Sequence, residues 1–166
     1  MELPFSITCD LESETATSAF AERLAPCLRA GDTLLLSGPI GAGKTHFARS
    51  LIRARLKSAG RDEDVPSPTY TLVQTYSDGD VEIWHADLYR LSHPDELIEL
   101  GLDDAFLSSI VLVEWPDRLG SEAPRGALHL DFRSGPTDRS RSLSISSEDA
   151  RWQDLIHRVL PERQST

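Results

Sequence analysis

Three kinds of hydrophobic spacing divide the chain. Thr33-Leu34-Leu35-Leu36-Ser37 and Ile110-Val111-Leu112-Val113-Glu114 are short apolar runs without alternation. Strands of this type are covered on both faces, as in a parallel sheet. Helical spacing appears in Phe20, Leu24 and Leu28, again in Phe47, Leu51, Ile52 and Leu56, and again in Trp152, Leu155, Ile156 and Val159. These predict three helices, each with one apolar face, the last starting near residue 147. Ser13-Glu14-Thr15-Ala16 opens the first, Gly31 closes its unit, and the second stops near Gly60. Ser92, Pro94 and Asp95 announce another helix that Gly101 ends, with a short helical piece over 102–107 behind it. β-rich runs over 70–76 and 81–84 are joined by the turn sequence Ser77-Asp78-Gly79-Asp80 and predict a hairpin. A later strand pair, 128–132 and 142–145, flanks Ser134-Gly135-Pro136-Thr137-Asp138, and a first strand is expected over 3–8.

The loop behind the first buried strand changes this picture from a fold to a site. Gly38-Pro39-Ile40-Gly41-Ala42-Gly43-Lys44-Thr45 has Gly, four residues, Gly, Lys and a hydroxyl residue in order. Average composition would produce that order about 0.005 times in a chain of this length. An apolar strand leads in and an amphipathic helix leads out, which is the setting phosphate binding requires. Glycines let backbone amides crowd around phosphate oxygens, and the helix amino terminus adds the positive end of its dipole. Lys44 then reaches the outer phosphates and Thr45 offers its hydroxyl to magnesium, with His46 the next residue along the nucleotide. The expected fold is therefore α/β of the P-loop NTPase type. It has a mostly parallel central sheet with an antiparallel hairpin and helices on both faces, as a single domain over 1–166.

Hydrolysis needs more than a cradle: an acid near the metal and a group that positions water. Glu114 ends a buried strand, where a carboxylate without a cation is costly, so it is assigned to the magnesium, directly or through water. ATP rather than GTP is expected, because the guanine-selecting Asn-Lys-x-Asp cannot be written in a chain without asparagine. Asp117-Arg118-Leu119-Gly120 matches a short switch pattern, but it starts after Trp115-Pro116 and is read as coincidence.

Four segments together resemble the TsaE family of bacterial ATPases. They are residues 38–47, Ser67-Pro68-Thr69-Tyr70, His85-Ala86-Asp87-Leu88-Tyr89-Arg90-Leu91 and Val113-Glu114-Trp115-Pro116. The likeness covers residues 13–118; the glycine loop is common to many families, and the other three segments are specific in combination. It implies that Thr69 belongs to a switch that orders around the nucleotide, and that Asp87 is a catalytic acid. It further implies a weak ATPase that acts with TsaB and TsaD in forming threonylcarbamoyladenosine beside the anticodon of tRNA. His85 and Tyr89 are expected to pack or hydrogen-bond, Trp115 to pack beside the site, and Arg90 to meet phosphate, a partner or solvent. Pro39 and Ile40 stand where the family usually has an acid and then leucine, so any role of that acid is absent here.

Composition narrows the partners. At 166 residues and 39% hydrophobic content the chain supports one core of ordinary size. No apolar run approaches the roughly 18 residues of a membrane span, and residues 1–10 lack a basic segment followed by an apolar core, so a cytoplasmic location is expected. Cys9 and Cys27 form no paired pattern and are expected to be small buried hydrophobes. The net charge is −10 and only two lysines occur, Lys44 and Lys57. A broad nucleic-acid footprint is built from Lys and Arg, so tRNA is expected to be met through the partners. Two other functions use the same loop: a small-molecule or nucleoside kinase, for which no lid segment is seen, and a nucleotide-gated binding module with little hydrolysis.

Overall fold

The computed structural model describes residues 5–68 and 70–160. Thr69, singled out above, lies outside the described residues. The elements run β1 (Phe5–Leu11), α1 (Glu14–Leu24), β2 (Thr33–Ser37), α2 (Lys44–Ser58), β3 (Val73–Ser77), β4 (Glu82–Asp87), α3 (Glu96–Leu100), α4 (Leu102–Ser108), β5 (Ile110–Glu114), β6 (Leu128–Ser134), β7 (Arg141–Ser147) and α5 (Arg151–Val159), with 3-10 turns at Ala25–Cys27 and Pro116–Glu122.

Among the described residues seven strands form one sheet in the order β1-β7-β6-β2-β5-β4-β3. Its centre is parallel, through β2 with β5, β2 with β6, and β4 with β5. Both margins are antiparallel, through β1 with β7, β6 with β7, and β3 with β4. The sheet is thus mixed, not mostly parallel, and burial explains the division. The runs in β2 and β5 are buried almost throughout, whereas β7 alternates. Parallel strands need cover on both faces, while antiparallel margins tolerate one wet face.

Helices do lie on both faces. On one, Phe20, Leu24, Phe47, Leu51, Trp152 and Ile156 of α1, α2 and α5 pack with Leu34, Leu36, Leu112, Leu130 and Ile145. On the other, Leu97, Leu102 and Ala105 of α3 and α4 pack with Leu35, Ala86, Val111 and Val113. Adjacent side chains of one strand point to opposite faces, so Leu34 and Leu35 serve different cores.

Local signals set the helix starts. Ser13 caps α1 by accepting the Ala16 amide at 3.1 Å. Gly43, with φ of 107°, turns the chain into α2, a left-handed conformation that glycine adopts without steric cost. The first hairpin starts later than the composition suggests, at Val73, because Leu72 has φ of 67° and breaks the extended run. Cys9 and Cys27 are only half-buried. Among the described residues, no helix is long and apolar enough to cross a membrane.

Candidate nucleotide site

Parallel strands deliver their carboxyl ends to one edge of a sheet, and ligands of open α/β folds bind outside that edge. Here β2 ends at Ser37 and feeds the glycine loop, β4 ends at Asp87 and β5 at Glu114. Leu36 pairs with Glu114, and Glu114 with Asp87. Two acids separated by 27 positions in sequence are therefore neighbours beside the loop. A cavity of about 420 Å³ opens there, walled by Ile40, Gly41, Gly43, Lys44, Thr45, His46, Asp87 and Glu114, with Glu14, Thr17, Tyr89, Arg90, Trp115, Arg139 and Arg141 around them.

Gly38, Pro39 and Ala42 do not reach the cavity wall. Gly38 has φ of 138°, and a Cβ there would run into the carbonyl oxygen of Phe132 on β6. Glycine at this position is thus required twice, by backbone angle and by space. The Ala42 amide donates to the Pro39 carbonyl at 3.1 Å, closing the loop on itself, and Ile40 stands out from it, three-quarters exposed.

The buried Lys44 ammonium donates to the carbonyl of Gly38, approaches that of Pro39 at 3.5 Å, and sits 3.7 Å from the centre of the Trp115 ring. Burial lowers its pKa below the usual 10.5, and the negative charges of Glu114, Asp87 and Asp117 oppose that shift without cancelling it. Trp115 is held at a φ of 60° directly after Glu114. Such a backbone costs about 1–3 kcal/mol and persists only where its surroundings dictate it. Its ring meets Tyr89 at 4.9 Å between centroids on one side and carries the ammonium on the other.

Glu114 has a different donor on each oxygen. The Thr45 hydroxyl donates to Oε1 at 2.6 Å, and His85 Nε2 lies 2.6 Å from Oε2. Nε2 therefore carries the proton, which leaves His85 Nδ1 buried with no hydrogen-bond partner among the described residues. His85 packs and hydrogen-bonds, as its type suggests, but that it orients the strand-end acid emerges only from the pairing of β4 with β5, where His85 lies opposite Leu112 two residues before Glu114. Asp87 is buried, and its Oδ1 accepts the Tyr89 amide at 3.1 Å. Its own amide donates to the carbonyl of Leu72, whose amide in turn donates to that of Pro68, both at 2.8 Å. The segment around Pro68 is tied to Asp87 by this backbone chain. Arg90 is exposed and lies 5.0 Å from the ring of Tyr70.

Among the described residues no three His, Cys, Asp or Glu side chains gather as a metal-binding group. A magnesium ion on a nucleotide makes a smaller demand, since it takes one or two protein oxygens and completes its shell with phosphate and water. Thr45 Oγ1 and Glu114 Oε1 are hard oxygen donors in mutual contact at the loop, and this donor set fits it. Sequence reasoning missed Arg139 and Arg141, both from the β6–β7 hairpin, and Glu14 and Thr17 of α1. No local pattern marks them; the sheet order, which sets β6 beside β2, brings the hairpin to the loop.

A family model described as threonylcarbamoyl adenosine biosynthesis protein TsaE matches residues 11–143. The chain belongs to the TsaE family. Relatives called tRNA threonylcarbamoyladenosine biosynthesis protein TsaE include one from Rickettsia bellii (strain RML369-C), 35% identical over 138 residues, which are 83% of this chain and 93% of the relative. One from Bacillus subtilis (strain 168) is 32% identical over 144 residues, 86% and 87% of the two chains. A Rickettsia felis relative is 40% identical over 107 residues, and there the TsaE-family match spans 64% of this chain and only 61% of the relative. The crystal structure of Bacillus subtilis YdiB superposes with a TM-score of 0.77 at 24% identity over 96% of each chain, and so shares the fold.

Proposed function

We propose that this TsaE-family chain is a P-loop NTPase that binds ATP with magnesium and hydrolyses it slowly, as an accessory factor in threonylcarbamoyladenosine formation on tRNA. The observation that carries the reading is the Thr45 hydroxyl on Glu114 Oε1 at 2.6 Å, beside a glycine loop that opens α2. It supports a magnesium position between strand end and loop, because a hydroxyl and a carboxylate held together offer the two oxygens the ion needs.

Within this reading the amides of the loop and the amino terminus of α2 hold the phosphates, and Lys44 exchanges its carbonyl partners for phosphate oxygens. Magnesium supplies charge neutralisation across the outer phosphates when bound. His85 keeps one Glu114 oxygen occupied, so the other faces Thr45. Asp87, next to Glu114, orients the attacking water. The names of the relatives support the pathway, and the family resemblance supports TsaB and TsaD as the partners, with tRNA met through them.

The test is phosphate release from ATP, measured with the chain alone and with TsaB and TsaD added. Slow release alone and a clear rise with both partners is the expected result. Release that ignores the partners would sink the accessory role, and labelled phosphate appearing on an added nucleoside or metabolite would replace it with a kinase.

A further inference from the structure

The β6–β7 hairpin, whose Phe132 already abuts Gly38, also grips the phosphate loop through Arg141. Arg141 Nε donates to the carbonyl oxygen of Ala42 at 2.8 Å and Nη2 to that of Gly41 at 3.1 Å. Nη1 donates to the carbonyls of Asp138 and Ser140 at 2.9 and 2.8 Å. Each of the three guanidinium nitrogens thus donates to at least one backbone oxygen, and among the described residues Arg141 has no carboxylate partner. Arginines on a protein surface ordinarily pair with acids or water; one committed to four carbonyls, two of them in a glycine loop, fixes backbone geometry.

The platform behind it is stiff. Arg141 pairs with Leu11 of β1 on one side and Ser134 of β6 on the other, so its backbone is held between two strands. The connecting turn is closed by hydrogen bonds between Thr137 and Ser140, 2.9 Å from the Thr137 amide to Ser140 Oγ and 3.2 Å from the Ser140 amide to Thr137 Oγ1. A Cβ on Gly135 would overlap Ser140, so the turn is packed as well as bonded.

We propose that Arg141 is a positioning residue for phosphate binding. It holds the carbonyl of Ala42 outward, so that the Gly43 amide of the same peptide unit stays turned toward the phosphates, while its bond to Gly41 steadies the neighbouring unit, whose Ala42 amide closes on the Pro39 carbonyl. The physical reason is the trans peptide unit, whose N–H points opposite to its C=O. Pinning the Ala42 oxygen on the hairpin side turns the Gly43 amide the other way, into the cavity that Gly43 lines. Preorganised amides pay no reorientation cost when an anion arrives. This inference rests on the nucleotide reading above, and its test is arranged so that the two fail separately.

Dissociation constants for ATP with magnesium and for inorganic tripolyphosphate are measured on the full chain, its Lys44→Ala variant, Arg141→Gln and Arg141→Lys, with the melting temperature of each protein in the absence of nucleotide. Arg141→Gln is expected to weaken both ligands by about tenfold or more, since bonds to charged groups are the strong ones, while turnover at saturating ATP changes by less than about twofold. Arg141→Lys recovers only part of the loss, because an ammonium lacks the planar fork that spans two carbonyls. Unchanged affinity in Arg141→Gln beside lost binding in Lys44→Ala would overturn the brace alone, even if Arg141→Gln melts lower. Full recovery in Arg141→Lys would also overturn it, in favour of charge without geometry. If Arg141→Gln does not fold, wild-type affinity in Arg141→Lys is the overturning result and reduced affinity the supporting one. A native chain that binds neither ligand removes the nucleotide reading and the brace with it.

Discussion

At the scale of single residues the site is organised around two charges that the fold makes expensive. Glu114 is buried and held by Thr45 and His85, and Lys44 is buried against carbonyl oxygens and an aromatic face, with the negative charges of Glu114, Asp87 and Asp117 acting on its ammonium. The lysine has a measurable consequence. Burial lowers its pKa from 10.5, so in alkaline solution the free protein sheds that proton before an exposed lysine would. Phosphates favour the charged form, so binding must restore the proton. Affinity is therefore constant below the lowered pKa and falls as pH rises through it, by about tenfold per unit at most. ATP affinity measured against pH should show this alkaline limb beginning below 10.5. In Lys44→Arg, which stays charged throughout, the limb should vanish from whatever binding remains. An identical limb in both proteins would mean that another group titrates. Glu114 was visible in the sequence because it ends a buried run, and Asp87 through the family likeness, the strand it ends having been expected only over 81–84; their adjacency was not visible, since it depends on which strands pair.

At the scale of elements, α5 shows how a segment remote from the site sustains it. Trp152 is wholly buried, and its indole N–H donates to the Gly126 carbonyl at 2.8 Å. Arg151 grips both oxygens of Asp32, just before β2, at 2.6 and 2.9 Å. That carboxylate also accepts the Arg29 amide at 2.8 Å. The helix therefore closes one core and fixes the entry to the strand that carries the phosphate loop. Trp152→Ala is expected to cost about 3–5 kcal/mol in urea unfolding, through lost burial and an unpaired carbonyl. Nucleotide affinity of the molecules that stay folded should change by less than about twofold, as α5 contributes no wall to the cavity. A large affinity loss with little change in stability would show that α5 acts on the loop directly. The elements with strong periodicity, β2, β5 and α2, were legible to within about two residues, whereas α1 stops at Leu24, four residues short of the expected Leu28, because Pro26 turns the chain into a 3-10 turn over Ala25–Cys27 and Leu28 is extended. Helix α5 begins four residues past the expected start, because Glu148 and Asp149 form a turn in which Asp149 accepts the Arg151 amide. The antiparallel margins were not legible as a sheet order, because alternation reports one buried face and is silent about which neighbour lies alongside.

For the whole molecule, the question is how a chain of net charge −10 would hold the polyanion proposed as its ligand. The cavity is a local exception, with Lys44, Arg90, Arg139 and Arg141 against Glu14, Asp87 and Glu114. Four cations less three carboxylates leave one positive charge, to which α2 adds the positive end of its dipole. That is little against a nucleoside triphosphate, and three of those carboxylates line the wall the phosphates must approach. A divalent cation held by Glu114 and Thr45 would turn repulsion into attraction. Nucleotide binding should therefore depend strongly on magnesium, and the folded state should gain stability from the pair and not from either alone. A ligand at a hundred times its dissociation constant adds about 2.7 kcal/mol. For a chain of this size each kcal/mol shifts the melting temperature by about 2–4 °C, so a rise of roughly 5–10 °C is expected with ATP and magnesium together. ATP with a chelator should give a small fraction of that rise. An equal rise with and without magnesium would remove Glu114 and Thr45 from metal binding while leaving the loop as a phosphate site, and no rise under either condition would remove both.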